Sequence, residues 1–447
     1  MPPNAESYDN YVPKSTLGIK PPPRRSQLTT VYMWLEDKKE IDNAEGLWRI
    51  HDGIYDFTDF VKSHPGGSDW LTLSKGLDIT EAFEVHHLTA LPEELLSKYF
   101  VRKAKSKRNA PFTFKEDGFY KTLKREVKQI LPTIPKQAIN TTNFLIDSIL
   151  VGMFILSILA AKYWNFFLAT LAGNFVAFLA IAAHNYFHQK DNFRMYYFQF
   201  SLLKVKEWRL SHVLSHHLHT NTIDDYEISV FEPLLQYMSV NKTPLKKYGQ
   251  LLLLPIIWIT GFHRAYIARL IEHLKGTKIA LDKSDLIPFI LPAAMYIFGG
   301  QSLLATFGMW NYIILVGSTH LFVVGQHAAH HHPDIFHDGD EPRSKDDYDW
   351  GVSQLDAVME RKEITGSHFL VLTNFGDHAL HHLFPTLDHG TLTHIYPVFK
   401  KVMDQFDVNL MMVSQVDTVF GAFQQLVKEK PNTSPPNLHK YKFNLKN

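Results

Sequence analysis

The sequence contains no cysteine. That absence excludes disulfides, thiolate-ligated haem, iron–sulfur clusters and every cysteine-type zinc site. No sign of charge dominates either: 46 Lys and Arg stand against 45 Asp and Glu. Such a balance marks no nucleic-acid partner, and none is expected. The first thirty residues lack the apolar core of a signal peptide. "PPPRR" (21–25) reads as part of a flexible N-terminal arm over 1–29. Charge is missing altogether from two long stretches. Residues 163–183 carry no Asp, Glu, Lys or Arg over 21 positions, and residues 286–326 carry none over 41.

A helix of about 20 apolar residues crosses a hydrocarbon core of about 30 Å. Residues 144–161 form a further run, blemished by Asp147, and 286–326 suits two crossings joined by a hairpin at "GGQ" (299–301). The run 251–262 is too short to cross and is expected at the interface or against protein. Four crossings return the chain to its starting side. The connections near Ala161–Trp164 and Gly299–Gly308 hold one Lys between them, so the positive-inside rule puts both termini in the cytoplasm. Residues 30–105 mix short strand-like runs with charged helical stretches, as a small α+β domain does. "RKAKSKR" (102–108) reads as solvated linker, or as a basic segment on an anionic leaflet. The expected division is an arm (1–29), a small domain (30–105), a linker with an amphipathic helix (106–140), a membrane domain (141–425) and a tail (426–447).

Histidine is what the sequence has in excess. It occurs 25 times, with 20 occurrences between His184 and His394. Four groups stand out: "HNYFH" (His184, His188), "HVLSHH" (His212, His216, His217), "QHAAHHH" (326–332) and "HALHH" (His378, His381, His382). Imidazoles at i, i+3 or i, i+4 share a helix face and reach one ion together. Without metal, many converging buried imidazoles would lack partners, at about 1–3 kcal/mol each. An almost all-nitrogen ligand set suits iron, zinc, copper or nickel.

A separate cluster precedes these groups. "YDFTDFVKSHPGGSDWL" (55–71) and "DITEAFEVHH" (78–87) resemble the cytochrome b5 family over roughly 30–105. The resemblance implies haem b held between His64 and His87, with His86 as the competitor for the second position. A one-electron haem donor on the same chain then favours iron over redox-inert zinc at the histidine groups.

Those groups resemble the membrane fatty-acid desaturase and hydroxylase superfamily over about 140–400, and "HHLFPTLDH" (381–389) resembles desaturases that carry their own cytochrome b5 domain. Over its whole length the chain resembles the insect cytochrome b5-related proteins. The resemblance implies a small α+β haem domain followed by an all-α integral membrane domain with four transmembrane helices and a cytosolic cap. It implies two non-haem Fe ions ligated by His184, His188, His212, His216, His217, His378, His381 and His382. His330 is expected as a ninth ligand, with Gln326 holding a metal-bound water, and His327 with His331 forms a rival pair. The implied activity is O2-dependent desaturation of a lipid acyl chain (acyl-CoA or acyl-lipid) in the endoplasmic reticulum membrane. NADH-cytochrome b5 reductase is the implied electron source. A hydroxylase on the same scaffold and a non-catalytic haem electron carrier are the alternatives. His219, His263, His273, His320, His332, His337, His368, His389 and His394 are expected outside the ligand set. The carboxylates of "DDYE" (224–227) are expected as solvated charges or as acceptors for ligand imidazoles.

Overall fold

The computed structural model describes residues 14–25, 29–277, 281–325 and 329–441. In the N-terminal unit, aromatic and β-branched residues build three short strands, Trp48–Ile50, Gly53–Tyr55 and Phe100–Lys103. They pair antiparallel in that order, with Trp48 opposite Tyr55 and Gly53 opposite Lys103. Helices Val31–Asp42, Ser68–Leu73, Thr80–His86 and Leu91–Leu96 complete the unit. Trp48 is fully buried and donates its indole N–H to the Leu71 carbonyl at 3.0 Å. The basic run is not a free linker. Its start is the third strand, and Arg108 is bound by Asp78 at 2.7 Å and Glu81 at 2.5 Å.

The second unit is helical. Four helices are long and apolar enough to cross a membrane by length and composition: Gln137–Tyr163, Phe166–His184, Pro244–Leu274 and Leu303–Gly325. Phe144, Ile155, Phe167, Leu252, Leu304 and Ile297 are among the large apolar side chains left exposed on this bundle, which is what a lipid-facing surface requires. Helices Phe166–His184 and Leu303–Gly325 touch at glycines. A Cβ on Gly173 would lie 2.6 Å from Val316, and one on Gly317 would lie 3.0 Å from the Gly173 carbonyl. Small residues at a crossing let helix backbones approach without a side chain between them. Asp147 is answered by Arg194, which grips both its oxygens at 2.9 and 2.7 Å.

The set of candidate crossings differs from the sequence expectation in its third member. Residues 283–299 are a 3₁₀ turn (Lys283–Phe289) followed by a ten-residue helix (Ile290–Gly299). Pro288 and Pro292 lack the N–H groups a continuous α-helix would use. The run 251–262 is not a short isolated segment but the middle of a 31-residue helix. The polar residues that bound the run do not stop that helix. Gln250 donates to the Leu426 carbonyl at 2.7 Å, and Arg269 grips Glu207 and Asp285 at 2.8 Å each.

The described part of the N-terminal arm is packed rather than flexible. Leu17 and Ile19 are buried, Ser15 donates to Asp338 at 2.9 Å, and Arg25 reaches the Ile223 carbonyl and Glu232. The tail is likewise anchored: Asn432 donates to Asp340 and the Tyr441 hydroxyl to Asp334.

Two features join the units. Leu210, Leu214 and Leu218, from the second unit, enter the same apolar cluster as Trp34, Leu35 and Trp48. Lys38, on helix Val31–Asp42, is buried between Asp42 at 2.7 Å and Asp224 at 3.1 Å. Removing one member of a buried ion pair leaves the other charge stranded. Lys38→Met is therefore expected to destabilise the docked N-terminal unit by about 3–5 kcal/mol. A lowered melting temperature and faster proteolysis between the units are the expected readouts, and an unchanged melting curve contradicts this role.

Candidate functional site

The nine candidate histidines of the helical unit all meet. His184, His188, His212, His217 and His381 form one group, and His216, His330, His378 and His382 form a second. Within each group the candidate ligand atoms lie within 4.8 Å of one another, and every residue is buried. The contacts run nitrogen to nitrogen. His212 Nε2 lies 2.7 Å from His184 Nε2 and 3.0 Å from His217 Nε2, and His184 Nε2 lies 3.1 Å from His381 Nε2. In the second group, His378 Nε2 lies 2.7 Å from His330 Nε2 and 3.2 Å from His382 Nε2.

The tautomers follow from the outer partners. His212 Nδ1 is 3.1 Å from both Glu227 oxygens, and His216 Nδ1 is 2.8 Å from Asp225 Oδ2. His330 Nδ1 faces the Ala357 carbonyl at 3.0 Å, and His382 Nδ1 faces Gln354 Oε1 at 2.9 Å. These oxygens only accept, so each Nδ1 donates and each Nε2 presents a lone pair inward. Burial holds His188, His217, His330, His378, His381 and His382 well below the usual imidazole value, keeping them neutral. At His216 burial acts downward, but the Asp225 and Glu227 carboxylates outweigh it and the net direction is up. Lone pairs aimed at lone pairs repel unless a cation lies among them, so the donor set fits two metal ions.

The local backbone decides which histidines go together. Residues Arg209–His216 form a π-helix that continues as an α-helical turn, His217–His219. A π turn brings i and i+5 into line. His212 therefore shares a group with His217, while His216 serves the other group. The i, i+4 pair His212 and His216 nevertheless stays close, the two lying together with Glu227. On helix His378–Leu383 the i, i+4 pair His378 and His382 does stay together, and His381 turns to the five-histidine group.

Of the two expected ninth positions, His330 enters a group, while His331 stacks on Tyr237 with ring centres 3.7 Å apart. Gln326 and His327 lie outside the described residues. His219 is outside both groups but is buried, stacked on Phe112 rather than turned to solvent. His389 is also buried: its ring lies 4.6 Å from that of His381, and its Nδ1 is 2.7 Å from Asn185 Oδ1. Asp225 and Glu227 of "DDYE" receive imidazole N–H groups, while Asp338 and Asp340 bind Ser15 and Asn432. Gln354 carries no local sequence signal, being brought in by helix Trp350–Asp356.

In the N-terminal unit, Gly67 of the HPGG turn has φ +110, which L side chains rarely adopt. The His64 and His87 rings face each other with centres 6.3 Å apart and planes at 89°. Two imidazoles that bind one ion through nitrogens about 2 Å from it have centres roughly 6 Å apart. His64 Nδ1 donates to the Gly67 carbonyl and His87 Nδ1 to the Phe83 carbonyl, both at 2.9 Å, so both Nε2 atoms present lone pairs that could hold a metal. Burial pushes His87 down to about 4, so it is neutral. His86 instead turns toward the helical unit, where its ring stacks at 17° on His188 with centres 6.1 Å apart.

Comparisons with known proteins agree with this division. Residues 35–105 match the family model described as "Cytochrome b5-like Heme/Steroid binding domain", and residues 161–414 match "Fatty acid desaturase". The chain is 41% identical to the "Cytochrome b5-related protein" of Drosophila melanogaster over 432 residues, covering 96% of this chain and 98% of that one. It is 24% identical to the "Probable Delta(5) fatty acid desaturase C" of Dictyostelium discoideum over 431 residues, covering 85% and 90%. A shorter match, 53% identical over 125 residues, is to the "Cytochrome b5-related protein" of Drosophila virilis, covering 28% of this chain and 87% of that one. No solved structure matches.

Loss of an outer acceptor commonly weakens metal binding by about 10–100-fold. Asp225→Asn is expected to fall in that range, read as metal retained per chain after dialysis against a chelator. Retention equal to wild type would show that Asp225 does not orient His216.

Proposed function

The chain belongs to the fatty acid desaturase family, with a cytochrome b5-like domain ahead of its desaturase part, and from that premise we propose that it desaturates a lipid acyl chain with electrons supplied by its own haem domain. The observation that carries this reading is the convergence of nine buried imidazoles at the end of helix Phe166–His184, beside the unit that bears the His64–His87 pair. His64 and His87 would hold haem b. His184, His188, His212, His217 and His381 would hold one iron, and His216, His330, His378 and His382 the other. Haem supplies single electrons, and the iron pair supplies the O2 activation that an unactivated C–H bond demands.

The protein's own residues set the conditions for that chemistry. Asp225, Glu227, Gln354 and the Ala357 carbonyl fix four imidazoles in the tautomer that presents Nε2 inward. Phe375 stands against both groups, with its ring 5.1 Å from His184 and 6.3 Å from His378, an apolar wall suited to an alkyl chain. Phe178, on helix Phe166–His184, packs on Phe369 with ring centres 6.1 Å apart. The substrate is proposed to be an acyl-CoA or acyl-lipid. We place the protein in the endoplasmic reticulum membrane with both termini cytoplasmic, drawing electrons from an NADH-cytochrome b5 reductase. We assign the haem domain to residues 30–105 and the desaturase domain to residues 141–425.

Two measurements on the purified and the expressed protein test this. Wild type is expected to hold about three irons per chain, one of them in haem, and His216→Ala to lose non-haem iron while keeping the haem spectrum. Expression in a host lacking the activity is expected to yield acyl chains with a new double bond. Iron found only in haem would mark an electron carrier, and a hydroxylated product without a new double bond would mark a hydroxylase; either outcome overturns the reading.

A further inference from the structure

His86 belongs to neither set of candidate ligands, yet its half-buried ring lies against His188, where the two units meet. It follows Val85 at the end of helix Thr80–His86 and directly precedes His87. Its Nδ1 donates to the Ala82 carbonyl at 2.9 Å, which leaves Nε2 as a lone-pair acceptor. That Nε2 is buried without a hydrogen-bond partner among the described residues. A buried acceptor left unmet costs about 1–3 kcal/mol, so the position calls for a reason. The facing ring is His188, of the five-histidine group, whose two nitrogens also lack partners among the described residues. The two rings lie nearly parallel, at 17° with centres 6.1 Å apart, and no hydrogen bond joins them.

The surroundings hold this contact shut. Trp70 packs on the other side of His86 with ring centres 5.8 Å apart, and the Arg209 guanidinium lies 4.6 Å over the Trp70 ring. Arg209 begins the π-helix and is paired with Asp191 at 2.7 Å and Asp69 at 3.7 Å. Asp69 belongs to the haem unit and Asp191 to the helical unit, so one buried cation ties both to the ligand-bearing helix. The Leu210–Leu218 face and the Lys38–Asp224 pair fix the same docking from the opposite side.

We propose that His86 is the contact through which the haem unit passes electrons to the five-histidine metal group, along His87, His86 and His188. The proposal rests on the electron-donor role assigned above. Each transfer moves one electron: haem iron goes from ferrous to ferric, a ferric non-haem iron becomes ferrous, and no bond is made or broken. An external one-electron reductant restores the haem. His86 is thus a positioning residue that spans the gap between two ligand sets.

The test uses the full chain loaded with haem and iron, without O2 or lipid. A photoreductant of the flavin class gives one electron to the haem, and the decay of the ferrous absorbance follows its onward transfer. Wild type is expected to decay faster when loaded with non-haem iron than without it. His86→Leu is expected to slow that decay by about tenfold or more, and His86→Gln, which keeps an acceptor, to slow it less. Haem spectrum, haem midpoint potential and non-haem iron content are expected to match wild type in both variants, which a merely structural role would not allow. If wild type decays equally with and without iron, the donor reading falls and this route with it. If wild type responds to iron but both variants decay as fast as wild type, the route alone is wrong. Loss of haem or iron in both variants would make His86 a structural residue and equally overturn the proposal.

Discussion

Imidazole nitrogens that face one another at 2.7–3.2 Å, all of them Nε2, cannot satisfy each other by hydrogen bonding alone. A proton serves one contact at a time, while a cation serves four or five. Much of the surrounding structure follows from holding these seven imidazoles in place, with His188 and His216 beside them. His184 ends a membrane-length helix, while His212–His217 and His378–His382 lie on shorter helical segments. A π-helix turns His217 back toward His212, and carboxylates two residues apart, Asp225 and Glu227, set the tautomers of His216 and His212.

The segment around Arg209–His219 acts as a wall with two faces. Leu210, Leu214 and Leu218 join the core of the N-terminal unit, while His212, His216 and His217 join the histidine groups. Burying an aliphatic side chain of that size contributes roughly 1.5–3 kcal/mol. The same apolar contacts that anchor the helix therefore also locate the haem unit. In this arrangement the N-terminal domain is docked as part of the fold, with a buried Lys38 and a buried Arg209 as its polar ties.

Much of the site was legible in the sequence because histidine spacing is a local signal. HxxxH and HxxHH named eight of the nine grouped residues, and apolar runs located most of the long helices. What escaped was set by tertiary context. The partition of His212 from His216 depends on a π-helix, and no residue pattern announces one. The choice of His330 over His331 depends on the Ala357 carbonyl and the Tyr237 ring, both distant or neutral in sequence. The arm looked flexible because Pro and Arg dominate it, yet Arg25 finds Glu232 across 207 positions. The 31-residue helix was missed because Arg264 and its polar neighbours interrupt the apolar run without breaking the backbone, since long cationic side chains can cover apolar surface with their stems.

The Lys38–Asp224 pair also imposes an order on synthesis. Its partners are 186 positions apart, and the Ser15–Asp338 bond spans 323. The haem unit leaves the ribosome first but must wait, with Lys38 still lacking Asp224, while the first apolar hairpin enters the bilayer. The arm waits longer still, until the segment after helix Leu303–Gly325 has been made. The contacts of the arm thus close only once partners far along the chain exist, and those of Asn432 and Tyr441 with the same region close later still.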